Sequence, residues 1–234
     1  MPIALITGAS AGLGRALTEA LHANGFTLVL DARNADRLAT VDIPDAHLIP
    51  GDVADPEHRR ALVRRVGELG GIDLLVNNAS QLGASPQPAL ADLEPTTFAD
   101  ILQTNLIAPA ALISALLAPL AARRGTVLNI SSDAAVEHYP GWGGYGASKA
   151  ALDHLTLTFA AEHPEIAWYA VDPGDMQTDL QQLAFPGEDI SDRPLPTVVV
   201  PQLLALLALR PPSGRYRASE FSASTDSRQT LVAR

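Results

Sequence analysis

The chain has 234 residues, 47% of them hydrophobic, enough for one ordinary domain with a sizeable buried core. A formal charge of −10 argues against a nucleic-acid backbone or an anionic membrane surface as the main partner. Cysteine is absent, which excludes a disulfide framework, a thiol nucleophile and a thiolate metal site, and fits the reducing cytoplasm.

The first ten residues, MPIALITGAS, carry no basic region and no long apolar run, so no secretory signal is expected there. IALIT (3–7) and FTLVL (26–30) read as strands around a helical stretch whose apolar positions include Leu13, Leu17 and Leu21. HLIP (47–50), IDLLV (72–76), GTVLNI (125–130) and IAWYAV (166–171) are the next strand candidates. Strands alternating with helical patterns imply βαβ units with right-handed crossovers. The expected fold is therefore α/β: a single doubly wound Rossmann-type domain over residues 1–234, its parallel sheet covered by helices on both faces.

LIAPAALISALLAPLAA (106–122) approaches the length of a bilayer span. Pro109, Pro119 and the many alanines favour instead a long helix buried against the sheet or a partner subunit, with no membrane involved. The text from 177 to 201 is rich in proline and acids and has no period, so a substrate lid is expected at about 179–201. QLLALLALR (202–210) reads as a short helix, GRYRASEF (214–221) as a last strand, and SASTDSRQTLVAR (222–234) as a tail.

TGASAGLG (7–14) lies between the first strand and the first helix. Glycine allows positive φ and close ligand approach, and a helix N-terminus offers unpaired N–H groups to an anion such as a pyrophosphate. The T-G-x-x-x-G-x-G spacing resembles that of the short-chain dehydrogenases/reductases. NNA (77–79) follows the fourth strand as in that family, with Ser80 where glycine is usual. GDV (51–53) puts Asp52 where the family contacts the adenine, and PGDMQT (173–178) is similar to its PG-x-x-x-T segment over the nicotinamide. The resemblance implies dinucleotide contacts from Gly8, Ser10, Gly12, Leu13, Gly14, Asp52, Val53, Asn78, Ala79, Pro173, Gly174, Met176 and Thr178.

An acid ending the second strand would accept a hydrogen bond from a ribose 2′-hydroxyl and repel a 2′-phosphate. The family's discriminating acid falls 18 positions after Gly14, at Ala32; Asp31 is one position early and so belongs to the other face of the strand. Arg33 stands where NADP-preferring members carry a phosphate-binding arginine. NADP(H) is the expected cofactor and NAD(H) the alternative.

Tyr145 and Lys149 stand four apart at the start of a helical pattern and share a face. A tyrosine titrates near about 10, and a cation within about 4–6 Å can lower that by roughly one to three pH units, making a usable acid or base. Lys149 is the only lysine of the chain, in a sequence that uses arginine at every other such position. Its compact ammonium on a slim stem suits a place beneath a ribose, where a guanidinium is too broad.

The resemblance gives both residues catalytic and cofactor-binding roles. Ser132, thirteen residues before Tyr145, takes the place of the serine that holds the substrate carbonyl, in preference to Ser131. Asn105, a further 27 residues upstream, takes that of the asparagine holding a relay water. His138, Tyr139 and Trp142 are candidates for lining the substrate pocket, and no metal-ligand spacing is present. The resemblance thus implies hydride exchange with a small carbonyl or alcohol substrate, in a homodimer or homotetramer. The alternatives are a non-catalytic dinucleotide sensor or scaffold, against which the full catalytic set speaks, and an epimerase or dehydratase, which generally has a different glycine spacing.

Overall fold

A computed structural model describes residues 1–221; the expected tail at 222–234 lies outside them. Seven parallel strands form one sheet in the order β3-β2-β1-β4-β5-β6-β7. They are β1 (Ile3–Ile6), β2 (Thr27–Ala32), β3 (His47–Pro50), β4 (Leu74–Asn77), β5 (Thr126–Ile130), β6 (Ala167–Asp172) and β7 (Gly214–Arg217). The chain winds outward from β1 to β3, then crosses back to β4 and winds the other way. This is the doubly wound Rossmann arrangement, with its switch point between β1 and β4.

Alternation along each strand divides the interior into two layers. Ala4, Ile6, Leu28, Leu30, Leu128 and Val171 face one way, against α1 (Gly12–Ala23) and α8 (Pro196–Leu209). Leu5, Val29, Leu75, Val127 and Trp168 face the other, against α3 (Pro56–Glu68), α5 (Ala108–Ala122) and α6 (Gly143–Glu162). Trp168 is fully buried there and stacks on Phe159 of α6 with ring centres 5.2 Å apart.

The helical run from α4 (Pro95–Leu102) through a π-helical turn at Gln103–Ile107 into α5 is long and apolar enough to cross a membrane. Its Leu112, Ile113, Leu116 and Leu120 instead form the core of the second layer. Pro119 near its end has no N–H for the carbonyl of Ala115, an exposed residue whose carbonyl water can reach.

The segment expected as one irregular lid divides in two. Residues 179–184 form α7 (Asp179–Ala184), capped by Thr178, whose side chain accepts from Gln181 N. Residues 196–201 open α8, where Pro196 occupies the first turn and Val199 and Val200 are buried against α1. Contact with α1 outweighs the poor helix propensity of the valine run. The last strand is shorter than expected, ending at Arg217 in a 3₁₀ turn at Ala218–Glu220.

Candidate active site

At the C-terminal ends of the strands, over the switch point, lies a cavity of about 390 Å³. Its phosphate end is the turn from β1 into α1. Gly8 and Gly12 have φ of 68° and 50°, and a Cβ on Gly8 would stand 2.9 Å from Asn78 Nδ2 and 3.0 Å from Ala79 Cα. Asn78 ties the turn down, its Nδ2 donating to the carbonyls of Thr7 and Gly8 at 2.9 and 3.1 Å. Thr7 Oγ1 accepts from the N–H groups of Asn78 and Ala79, both at 3.0 Å. Ala11 at the N-cap of α1 supplies no capping side chain, so the first N–H groups of that helix face the cavity without one. A glycine cradle on an uncapped helix start fits a dinucleotide pyrophosphate.

Gly8, Ser10, Gly12 and Leu13 line this end; Gly14 does not. A Cβ on Gly14 would fall 2.2 Å from Gly8 O, so its place in the motif comes from packing the helix against the turn. Beside the ends of β2 and β3 the lining includes Arg33, Asp52 and Val53, together with Asn34 and Arg37, which the motif reading missed. Arg37 Nη1 reaches Asp179 Oδ2 on α7 at 2.5 Å, joining two exposed side chains across the mouth. Ala32 packs in the first layer while the Asp31 side chain points to the second, where its Oδ1 lies 2.6 Å from His58 Nε2. The two side chains thus face opposite sides of the sheet, and Asp31 also contributes to the cavity lining.

Ser132, Tyr145 and Lys149 line the cavity too, with Pro173, Gly174 and Met176; Asn78 and Ala79 lie beside the glycine turn, and Thr178 stands against Gly12, where a Cβ would meet its Cγ2 at 3.2 Å. Lys149 is buried, and its Nζ donates to Ile130 O at 2.7 Å and stands 5.5 Å from the Tyr145 ring centre. Burial pushes the Lys149 ammonium down to about 8, opposed by the charge of Asp153. Burial also pushes the Tyr145 phenol up to about 12, against hydrogen bonding from Ser80 and Ser132. The expectation that the cation lowers the tyrosine therefore fails in this structure. Desolvation of the phenolate is the larger effect, and the carboxylates of Asp133 and Asp172 add to it.

Ser132 caps a short 3₁₀ turn by accepting from Ala134 N at 3.2 Å, and its hydroxyl donates to Asp133 Oδ1 at 3.0 Å. Arg215 of β7 fixes that strand end, donating to Ser132 O at 3.0 Å and to Asp153 Oδ2 at 2.8 Å. Asn105 lies in the π-helical turn and outside the cavity lining. Its amide donates to Gln81 O and Ser148 Oγ, and its carbonyl accepts from Gln81 N and Ser80 Oγ. Ser80 Oγ donates to Asn105 Oδ1 and helps to lower the Tyr145 phenol against the effect of burial.

Of the three substrate candidates, Trp142 lines the cavity, edge-on to Tyr145 with ring centres 5.6 Å apart. His138 and Tyr139 do not; both are exposed on the outer side of the loop, where the Tyr139 hydroxyl donates to Asp133 Oδ2 at 2.9 Å. Leu82, Leu180 and Leu183 complete an apolar wall near Trp142. Among the described residues no group of three metal-ligating side chains occurs.

The sequence matches the short chain dehydrogenase family over residues 2–189. The chain belongs to that family. It is thus an oxidoreductase with an NAD(P)-binding Rossmann fold. Among its relatives, the family member sepiapterin reductase from Meriones unguiculatus is 34% identical over 201 residues, covering 78% of this chain and 77% of the relative. The KRED1-Pglu enzyme superimposes with a TM-score of 0.83 at 30% identity, covering 92% of this chain and 100% of that one. A short-chain dehydrogenase from Shigella flexneri, solved with NADP, gives a TM-score of 0.84 at 28% identity, covering 93% and 97%.

Proposed function

We propose that the chain is an NADP(H)-dependent reductase of ketones or aldehydes, able to run in reverse as an alcohol dehydrogenase. One observation carries this reading: Ser132, Tyr145 and Lys149 line one cavity with a glycine cradle and Arg33. The nicotinamide, when bound, supplies or takes up the hydride. A buried phenol pushed up to about 12 is protonated at neutral pH, so Tyr145 is poised to give its proton to a carbonyl oxygen as negative charge develops there. Ser132 can turn its hydroxyl from Asp133 to the same oxygen and act as an oxyanion donor. Lys149 holds its ammonium beneath the phenol and, like Asn78, Thr178 and Met176, lines the region for the nicotinamide half. Asn105 orders the Ser80–Gln81 backbone beside Tyr145 and serves the site from behind.

Arg33 supports NADP(H), since its exposed guanidinium can pair with a 2′-phosphate at the cavity edge. Structural neighbours solved with NADP or 5-hydroxy-NADP support the same choice. The reading includes a small-molecule substrate, the cytoplasm as its place, and assembly as a homodimer or homotetramer.

The test is NADPH consumption over a panel of ketones and aldehydes, repeated with two variants. Tyr145→Phe is expected to bind NADPH like the parent and to lose at least about a hundredfold in turnover. Substantial remaining turnover would assign the proton to another group. Arg33→Ala is expected to weaken NADPH by about tenfold or more and to leave NADH nearly unchanged, as titrated by nicotinamide fluorescence. Equal losses for both cofactors would reject the phosphate role.

A further inference from the structure

The buried pair Asp31–His58 has no part in the chemistry described above. Asp31 is the next-to-last residue of β2, buried at 1% exposure, and its Oδ1 lies 2.6 Å from Nε2 of the buried His58 on α3. The site is built for the ring: a Cβ on Gly51 would meet His58 Nδ1 at 2.2 Å, so the residue opposite must be glycine for the imidazole to lie there. Burial raises the Asp31 carboxyl, as does the nearby charge of Asp52, while His58 and the Gly8 N–H hold it down. Asp31 also borders the cavity beside the ends of β2 and β3, with Ala32, Arg33 and Asp52. An acid at that place in the fold would accept a ribose 2′-hydroxyl and oppose a 2′-phosphate.

We propose that His58 is a specificity-determining residue: strand alternation places the Asp31 side chain on the α3 side, and the imidazole keeps its carboxylate from turning to the cavity edge, where it would serve a ribose 2′-hydroxyl or oppose a phosphate at Arg33. The inference rests on the NADP(H) reading above and adds to it. Arg33 supplies attraction, and the histidine withholds the competing acid. Specificity between two ligands follows from such a difference. Asp31 and His58 are positioning residues, acting through the edge of the cavity that Arg33 occupies.

The test uses the full-length chain and its His58→Leu, Asp31→Asn and double variants. Dissociation constants for NADPH and NADH are measured by nicotinamide fluorescence, with a thermal melt to confirm folding. Because both ligands are titrated on the same folded sample, their ratio is unmoved by a merely structural effect. His58→Leu is expected to shift the ratio toward NADH by about tenfold or more, and the double variant to return it near the parent value. Asp31→Asn keeps an acceptor for the imidazole and is expected to hold the ratio within about threefold of the parent.

A ratio unmoved by His58→Leu overturns the proposal, and so does an Asp31→Asn shift as large as that expected for His58→Leu. Should His58→Leu fail to fold, His58→Gln, whose amide stands in a different place from the imidazole, is titrated instead, with the same expected shift and the same overturning result. A parent that prefers NADH would reject the Arg33 reading separately, and the change of ratio between parent and variants would still report on His58.

Discussion

Lys149 and Tyr145 are both held out of water, and burial disfavours the charged form of each. For the lysine this has a cost in stability. Its folded value of about 8 lies below its ordinary 10.5, so between those values the unfolded chain holds more protons and stability rises with pH. At neutral pH the buried ammonium costs on the order of 3 kcal/mol, partly offset by its bond to Ile130 O. Lys149→Met is therefore expected to abolish turnover while raising the melting temperature at pH 7 by a few degrees. The gain should shrink as melts are repeated from pH 8 toward 10. A variant that melts lower than the parent at pH 7 would show that the ammonium stabilises the fold.

At the scale of elements, the turn from β1 into α1 leaves no room for a side chain. Gly14→Ala would bring a Cβ within 2.5 Å of Asn78 Nδ2 and closer still to Gly8 O, a backbone atom that cannot move aside. We expect a loss of about 1–3 kcal/mol in denaturant unfolding, with weaker NADPH binding in the same protein. Unchanged melts and titrations would show that the helix can slide on the turn. All seven strands were legible, six as short β-branched or apolar runs between helical patterns and the last as a run read four residues too long. The split of residues 179–201 was not. Proline and acids mark a break in either case, and only burial of Val199 and Val200 against α1 makes a helix of the second half. In the site, Tyr145, Lys149, Ser132 and the glycine turn could be read from spacing along the chain. Ser80, Arg37 and His58 could not, because their partners Asn105, Asp179 and Asp31 are brought to them by the topology of the sheet. The exposed positions of His138 and Tyr139 were likewise hidden, since a loop before a helix can turn either way.

For the whole molecule, the outer side of α5 and α6 is the part the fold leaves unexplained. Residues 101–122 contain no charged side chain, and Ile107, Ala115 and Ala118 on α5 and its preceding turn are exposed, as are Ala147, Ala150 and Leu157 on α6. A small-residue, uncharged face of this kind allows close helix packing against a second copy. Static light scattering is expected to give at least a dimer for the parent and a monomer for the double variant Ile107→Glu, Leu157→Glu. A monomeric parent would refute the assembly.

The clamp from Arg215 to Ser132 O and Asp153 has a consequence for how the protein is made. Chains emerge from the ribosome N-terminal end first, and β7 comes last among the strands. The glycine cradle, the tyrosine and the lysine all precede it by more than sixty residues, so the nascent chain can hold the sheet from β3 to β6 before Ser132 is fixed. The Ser132 strand end is thus fixed only after the glycine cradle, Tyr145 and Lys149 have been made.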